Sequence, residues 1–167
     1  MNVVIANRQR TRKISRRLLK QITAALVADL KVEAAELGIR LVAAPEMTRL
    51  NEKFLRHQGS TDVITFDYSD NVGRASRLPS KPLKRNRDRR DACPTLHGEI
   101  FICVDEAVQQ ARKFGTSWQA EVVRYLVHGV LHLRGFDDSS ASARRKMKRE
   151  ENRRLRELSR RFALSRL

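Results

Sequence analysis

The chain has 167 residues, with 35 Lys and Arg against 19 Asp and Glu, a formal charge of +16 and a pI near 11.1. The length suits one domain with a real core, and the charge surplus exceeds what solubility needs, so a polyanionic partner is expected. No long apolar segment, lipidation motif or basic helix with aromatic anchors stands out, which sets a membrane partner aside. Tyr, Phe and Trp make up 5% of the chain, so binding should lean on phosphate contacts more than on base stacking.

Val3–Ala6 reads as a first strand. It is too short for the apolar region of a secretory signal, and basic residues follow it. From Ile14 the period changes: Ile14, Leu18, Ile22, Ala25, Leu26 and Leu30 fall on one helical stripe, with Arg16, Arg17 and Lys20 off it. Gly38 marks the turn after this helix, and Ile39–Ala44 reads as a strand that Pro45 stops. A short helix over Glu46–Leu55 should turn Met47, Leu50 and Phe54 inward, and Val63–Phe66 should be a buried strand. Between Ser69 and Pro94 lie three prolines and eight basic residues, with Asp88 alone opposing them from Arg74 to Arg90. This segment predicts a mobile basic loop.

Gly98–Val104 returns to strand character, and Asp105 is placed to cap the helix carrying Ala107, Val108 and Ala111. Gly115 closes that helix. Thr116 or Ser117 caps the next one, which buries Trp118, Val122, Tyr125 and Leu126 and then presents His128 and His132. Ser139 or Ser140 opens the last helix, where Met147, Leu158 and Phe162 share a face among eleven Lys and Arg from Arg144 to Arg166. With three acidic residues in that stretch, the helix is either a solvated charged face or, as the charge balance favours, a surface for the polyanionic partner. The pattern predicts an α+β domain spanning residues 1–167: a small mixed sheet of about four strands against about five helices, with the functional helix central. Cys93 and Cys103 lack the spacing of a metal pair. Cys103 sits in an apolar run as a small core residue, and a reducing, cytoplasmic compartment is expected.

The run from His128 to Asp138 carries the chemistry. Two imidazoles four apart on a helix share one face and reach a single cation. Gly135 can end the helix in a left-handed conformation, and the chain can then return Asp138 as a third ligand. Three protein ligands with an open fourth position describe a catalytic zinc site, and the spacing H-x-x-x-H-x-x-G-x-x-D is that of the long zinc-protease motif. The protease motif has a glutamate after the first histidine as general base. Here that place is Gly129, which together with the polycationic surface disfavours peptide hydrolysis. The six-residue step from His132 selects Asp138 over Asp137, which is left as a helix cap or a partner of the ligands. His57 and His97 read as surface or loop residues, and Asp62 and Glu99 as structural carboxylates, with an active-site carboxylate as the alternative reading of each.

His128–Asp137 resembles the H-G-x-L-H-L-x-G-[FY]-D-H signature of the YbeY endoribonucleases, the bacterial rRNA maturation factors. Leu50–Phe54 followed by Ser60–Phe66 is similar to that family's L-N-x-x-[YF] and P-T-D-V-L-S-F segments. His97–Ile100 resembles its L-G-[DE]-I strand entry, and Met147 with Glu150 or Glu151 its M-x-x-x-E tail. The resemblance implies a zinc-dependent endoribonuclease acting on single-stranded RNA, in 3′-end maturation of small-subunit (16S) rRNA and in ribosome quality control, with one zinc ion per chain held by three histidines. RNA of the small ribosomal subunit, rather than DNA or membrane, is then the partner.

Three departures stand out. Asp138 replaces the third histidine, so the implied ligands are His128, His132 and Asp138; a carboxylate is a competent zinc ligand. Leu55 stands where the family has arginine, and Arg56, the next residue, becomes the candidate substrate-binding group. The basic insertion at about 69–94 is longer than the family's usual connection. The alternative is a non-catalytic rRNA-binding assembly factor whose metal only pins the last two helices together.

Overall fold

The computed structural model describes residues 1–69 and 95–167. The basic loop expected between Ser69 and Pro94, and Cys93 with it, lies outside the described residues apart from Ser69. The described elements run in the order β1 (Asn2–Asn7), α1 (Arg16–Asp29), β2 (Ala34–Val42), α2 (Ala44–Leu50), a π-helical turn (Asn51–Leu55), β3 (Val63–Asp67), β4 (Thr95–Cys103), α3 (Val104–Phe114), α4 (Trp118–Leu133) and α5 (Ala141–Arg161). A short 3₁₀ turn, Leu164–Arg166, follows α5. The four strands form one mixed sheet in the order β1-β2-β4-β3. β1, β2 and β4 run parallel, and β3 pairs antiparallel with β4 from Val63↔Ile102 to Asp67↔Gly98. The α+β expectation is met.

Alternation along the strands divides the core into two layers. Leu37, Ile39 and Leu41 of β2 and Ile100 and Ile102 of β4 point to one face, where they meet Leu19, Ile22 and Leu26 of α1 and Leu126, Val130 and Leu131 of α4. The opposite residues, Val42, Phe101 and Cys103, join Ile64 and Met47 in a smaller cluster under α2. Cys103 is fully buried and free, as expected of a core residue.

Serine hydroxyls start three of the helices. Ser15 accepts from the Leu18 N–H at 3.2 Å, Ser117 from Ala120 at 3.2 Å and Ser140 from Ala143 at 3.1 Å. Asp105 has a different part from the cap expected of it. Cys103 takes the N-cap position of α3, and Asp105 accepts from the Ala44 N–H at 2.6 Å and from the Thr11 hydroxyl, tying the start of α2 and the β1–α1 connection to α3.

Other local expectations are also corrected. Gly38 lies inside β2, in register with Val4 and Glu99; the turn after α1 comes earlier, at Lys31, whose φ is 53°. The single helix expected to Leu55 changes pitch at Asn51, and the wider π turn swings Phe54 outward, where it is 41% exposed. The strand Val63–Phe66 exists, but at the sheet edge, with only Ile64 fully buried. Among the described residues, no helix is long and apolar enough to cross a membrane.

Candidate metal centre

α4 lies against the sheet with its last two turns under β4 and β3. A Cβ added at Gly129 would come within 2.7 Å of Ile100 Cγ2 and 3.1 Å of Thr65 Oγ1. The glycine is there because backbone meets sheet, and the same crowding excludes a glutamate from the position that zinc proteases use for their base. One residue back, His128 projects beside the β3 edge of the sheet, and His132 follows on the same face.

The helix ends as its sequence requires. Gly135 has φ 87°, its N–H reaches the His132 carbonyl at 2.8 Å, and the Phe136 N–H reaches Leu131 at 2.9 Å. That reversal brings Asp138 back over the histidines. His128 Nε2 and His132 Nε2 are 3.0 Å apart, and Asp138 Oδ2 lies 3.8 Å from His132 Nε2. One donor atom from each of the three residues falls within 4.8 Å of the others. Two imidazole nitrogens and one carboxylate oxygen form a donor set suited to zinc, and the three side chains are 25%, 30% and 47% exposed, so the group opens to solvent.

Asp137 faces elsewhere: its carboxylate caps the Ser139 N–H at 3.0 Å and accepts from the Ser139 hydroxyl, and these bonds hold its pKa below the usual value. The carbonyls of Asp138 and Ser139 both accept from Arg144 Nη1, at 3.0 and 3.3 Å, which fixes the turn that presents Asp138.

Behind the histidines stands Glu151 of α5, 4% exposed, with its Oε2 3.2 Å from His128 Nδ1. Its other oxygen accepts from Arg124 at 2.8 Å and Lys148 at 2.9 Å. Burial alone would raise the Glu151 pKa, but hydrogen bonds from His128, Arg124 and Lys148 outweigh it and hold the carboxyl at about 2. At His132, burial and the neighbouring His128 lower the pKa against the pull of Asp138, which keeps this imidazole neutral and its lone pair available.

Two cavities meet at His128. The larger, about 440 Å³, lies between α4 and α5 and reaches Asp62, Tyr125, Asp138, Arg144, Arg145 and Lys148. The smaller, about 240 Å³, runs past His132 to the β3 edge and is lined there by Leu55, Val63, Thr65 and Asp67. Leu55 thus borders the histidines, while Arg56 is exposed in a left-handed conformation (φ 58°) at the end of the π turn. Asp62 has the structural bonds expected of it, accepting from the Val63 N–H at 2.9 Å, yet it also borders the larger cavity.

His57 is exposed, and His97 lies on the opposite face of the sheet from Ile100, edge-on to Tyr68 at 5.6 Å. Glu99, on that same face, pairs with Arg40, and the Tyr68 hydroxyl donates to it at 3.4 Å. None of these joins the cluster. Glu151 was only half legible in sequence, as one of two glutamates near Met147. The i, i+4 step from Met147 to Glu151, which puts both on the face toward α4, was the available signal.

A four-stranded mixed sheet with a His-His-Asp group at the end of its central helix defines an α+β domain with a candidate metal centre. The family model described as Endoribonuclease YbeY matches residues 4–159, and the chain belongs to that family. The endoribonuclease YbeY of Beutenbergia cavernae is 34% identical over 113 residues, covering 68% of this chain and 67% of that protein. That of Acidothermus cellulolyticus is 38% identical over 113 residues, covering 68% and 64%. The Chlorobium luteolum protein of the same name is 28% identical over 160 residues, 96% of this chain and all of its own. The solution structure of a Thermotoga maritima protein shares the fold, with a TM-score of 0.59 at 22% identity over 93% of this chain and 88% of that one.

Proposed function

We propose that this protein is a metal-dependent endoribonuclease that cuts single-stranded RNA, with His128, His132 and Asp138 holding one zinc ion. The observation that carries the reading is the convergence of those three side chains, two of which, His128 and Asp138, line a cavity bordered by Arg144, Arg145 and Lys148. A zinc ion held there supplies Lewis acidity, both to a phosphodiester oxygen and to water.

The protein's own part is to orient and to attract. Glu151, charged at physiological pH, takes the Nδ1 proton of His128 in a hydrogen bond and so aims Nε2 outward. Arg144 clamps the turn that presents Asp138. Gly129 brings the helix against the sheet, so the histidine pair is held by a rigid support rather than a loop. Arg144, Arg145 and Lys148, in the first two turns of α5, draw the RNA backbone toward the cleft, which makes binding salt-dependent. Membership in the family and the +16 charge support rRNA of the small ribosomal subunit, at the 3′ end of 16S, as the substrate, in the cytoplasm and within ribosome quality control.

The rival is an assembly factor whose metal only ties α4 to α5, and the His128–Glu151 bond between those helices favours it. Chelation separates the two. For a nuclease, the metal-free chain keeps its circular dichroism and its RNA affinity while cleavage of a single-stranded 16S fragment stops. Melting of the domain together with loss of RNA binding would favour the rival. Equal, absent cleavage by metal-replete wild type and His128→Ala would sink the nuclease.

A further inference from the structure

The larger cavity carries more than general affinity. Arg144, Arg145 and Lys148 project from the first two turns of α5 along its edge, all exposed, with His128 and Asp138 at its end. Tyr125 lines the same cavity. Its side chain is 4% exposed, and its hydroxyl has no hydrogen-bond partner among the described residues. A buried hydroxyl left unpaired is costly unless something polar arrives to meet it. The cavity on the other flank of His128 is different: among the described residues, no lysine or arginine lines it.

We propose that the α4–α5 cavity is a nucleotide subsite whose grip on RNA phosphates comes from the first two turns of α5. About 440 Å³ accommodates a nucleoside. Arg145 and Lys148 hold the flanking phosphates, and the Tyr125 hydroxyl donates to a base or ribose oxygen. This inference rests on the ribonuclease reading, which supplies RNA as the ligand.

The test uses the full chain freed of metal, with a fluorescently labelled, mixed-sequence single-stranded oligoribonucleotide followed by anisotropy over a range of salt. Arg145→Gln and Lys148→Gln each flatten the plot of log affinity against log salt by about 0.7, the value for one single-strand phosphate contact. Arg160→Gln, the same charge change roughly 18–22 Å further along α5, leaves the slope as it was. Tyr125→Phe keeps the slope but binds roughly three- to tenfold more weakly.

Unchanged slopes at both cavity cations, an equal flattening by Arg160→Gln, or wild-type affinity in Tyr125→Phe would each overturn the subsite. If metal-loaded wild type leaves RNA intact while the slopes change as expected, the nuclease reading fails and the binding subsite stands.

Discussion

Glu151 accepts a hydrogen bond from Nδ1 of His128 across the α4–α5 interface, at 3.2 Å, and thereby decides which nitrogen of that ring faces His132 and Asp138. The contact joins two helices, fixes a tautomer and neutralises part of a crowd of cations. Removing it tests all three effects.

Glu151→Gln keeps the side-chain volume but offers no full negative charge to His128. Metal affinity should fall by about 10- to 100-fold, the usual cost of losing a partner that orients a histidine ligand. Competition against a chromophoric chelator measures this directly. Affinity equal to wild type would mean that the bond does not orient the ring.

The same carboxylate makes stability depend on pH. Its folded pKa of about 2 lies below the usual 4.5, so its stabilisation is present above pH 4.5 and is lost as the pH falls through the folded value. A depression of that size corresponds to about 3 kcal/mol. Denaturant titrations of metal-free protein from neutral to acid pH should show a steeper loss in wild type than in Glu151→Gln. Parallel profiles would assign the acid sensitivity to other groups.

Asp138→Ala should lose most of its metal, and Asp137→Ala should keep it, because only Asp138 turns its carboxylate toward His132. Asp138→His should also retain metal, since imidazole is an equally good zinc ligand. Elemental analysis of the three purified variants gives the answer. Full loading of Asp138→Ala would remove that residue from the coordination sphere.

Gly129→Ala sets helix propensity against packing. In an exposed helix the change would gain about 1 kcal/mol; here the new methyl meets Ile100 Cγ2 at 2.7 Å. Overpacking of this kind costs about 1–3 kcal/mol, so a lower melting temperature is expected. A stabilised variant would show that the sheet can move away from α4.

Local chemistry made much of this molecule readable before its fold was known. The helix periods at Ile14–Leu30 and Trp118–His132, the serine caps and the left-handed stop at Gly135 depend on neighbours within a turn or two, so α1, α4 and the return of Asp138 could be inferred. The His-His-Asp grouping was legible for the same reason: eleven residues of chain, one helix and one reversal bring it together. Phe54 and Gly38 were misjudged because their settings depend on distant partners. Phe54 packs edge-on against Phe66 at 5.1 Å from an outward π turn, and Gly38 is held between β1 and β4.

Two cavities meeting at one histidine, a glutamate reaching it from the last helix, and an unpaired tyrosine hydroxyl at the cavity wall appear only when α4, α5 and the β3 edge are packed together. Sequence spacing encodes what one helix and its cap can do, because those forces act over a few residues. Which side of the metal centre is basic, and which carboxylate stands behind it, depends on surfaces brought together from far apart in the chain. Packing of the whole domain is what decides those.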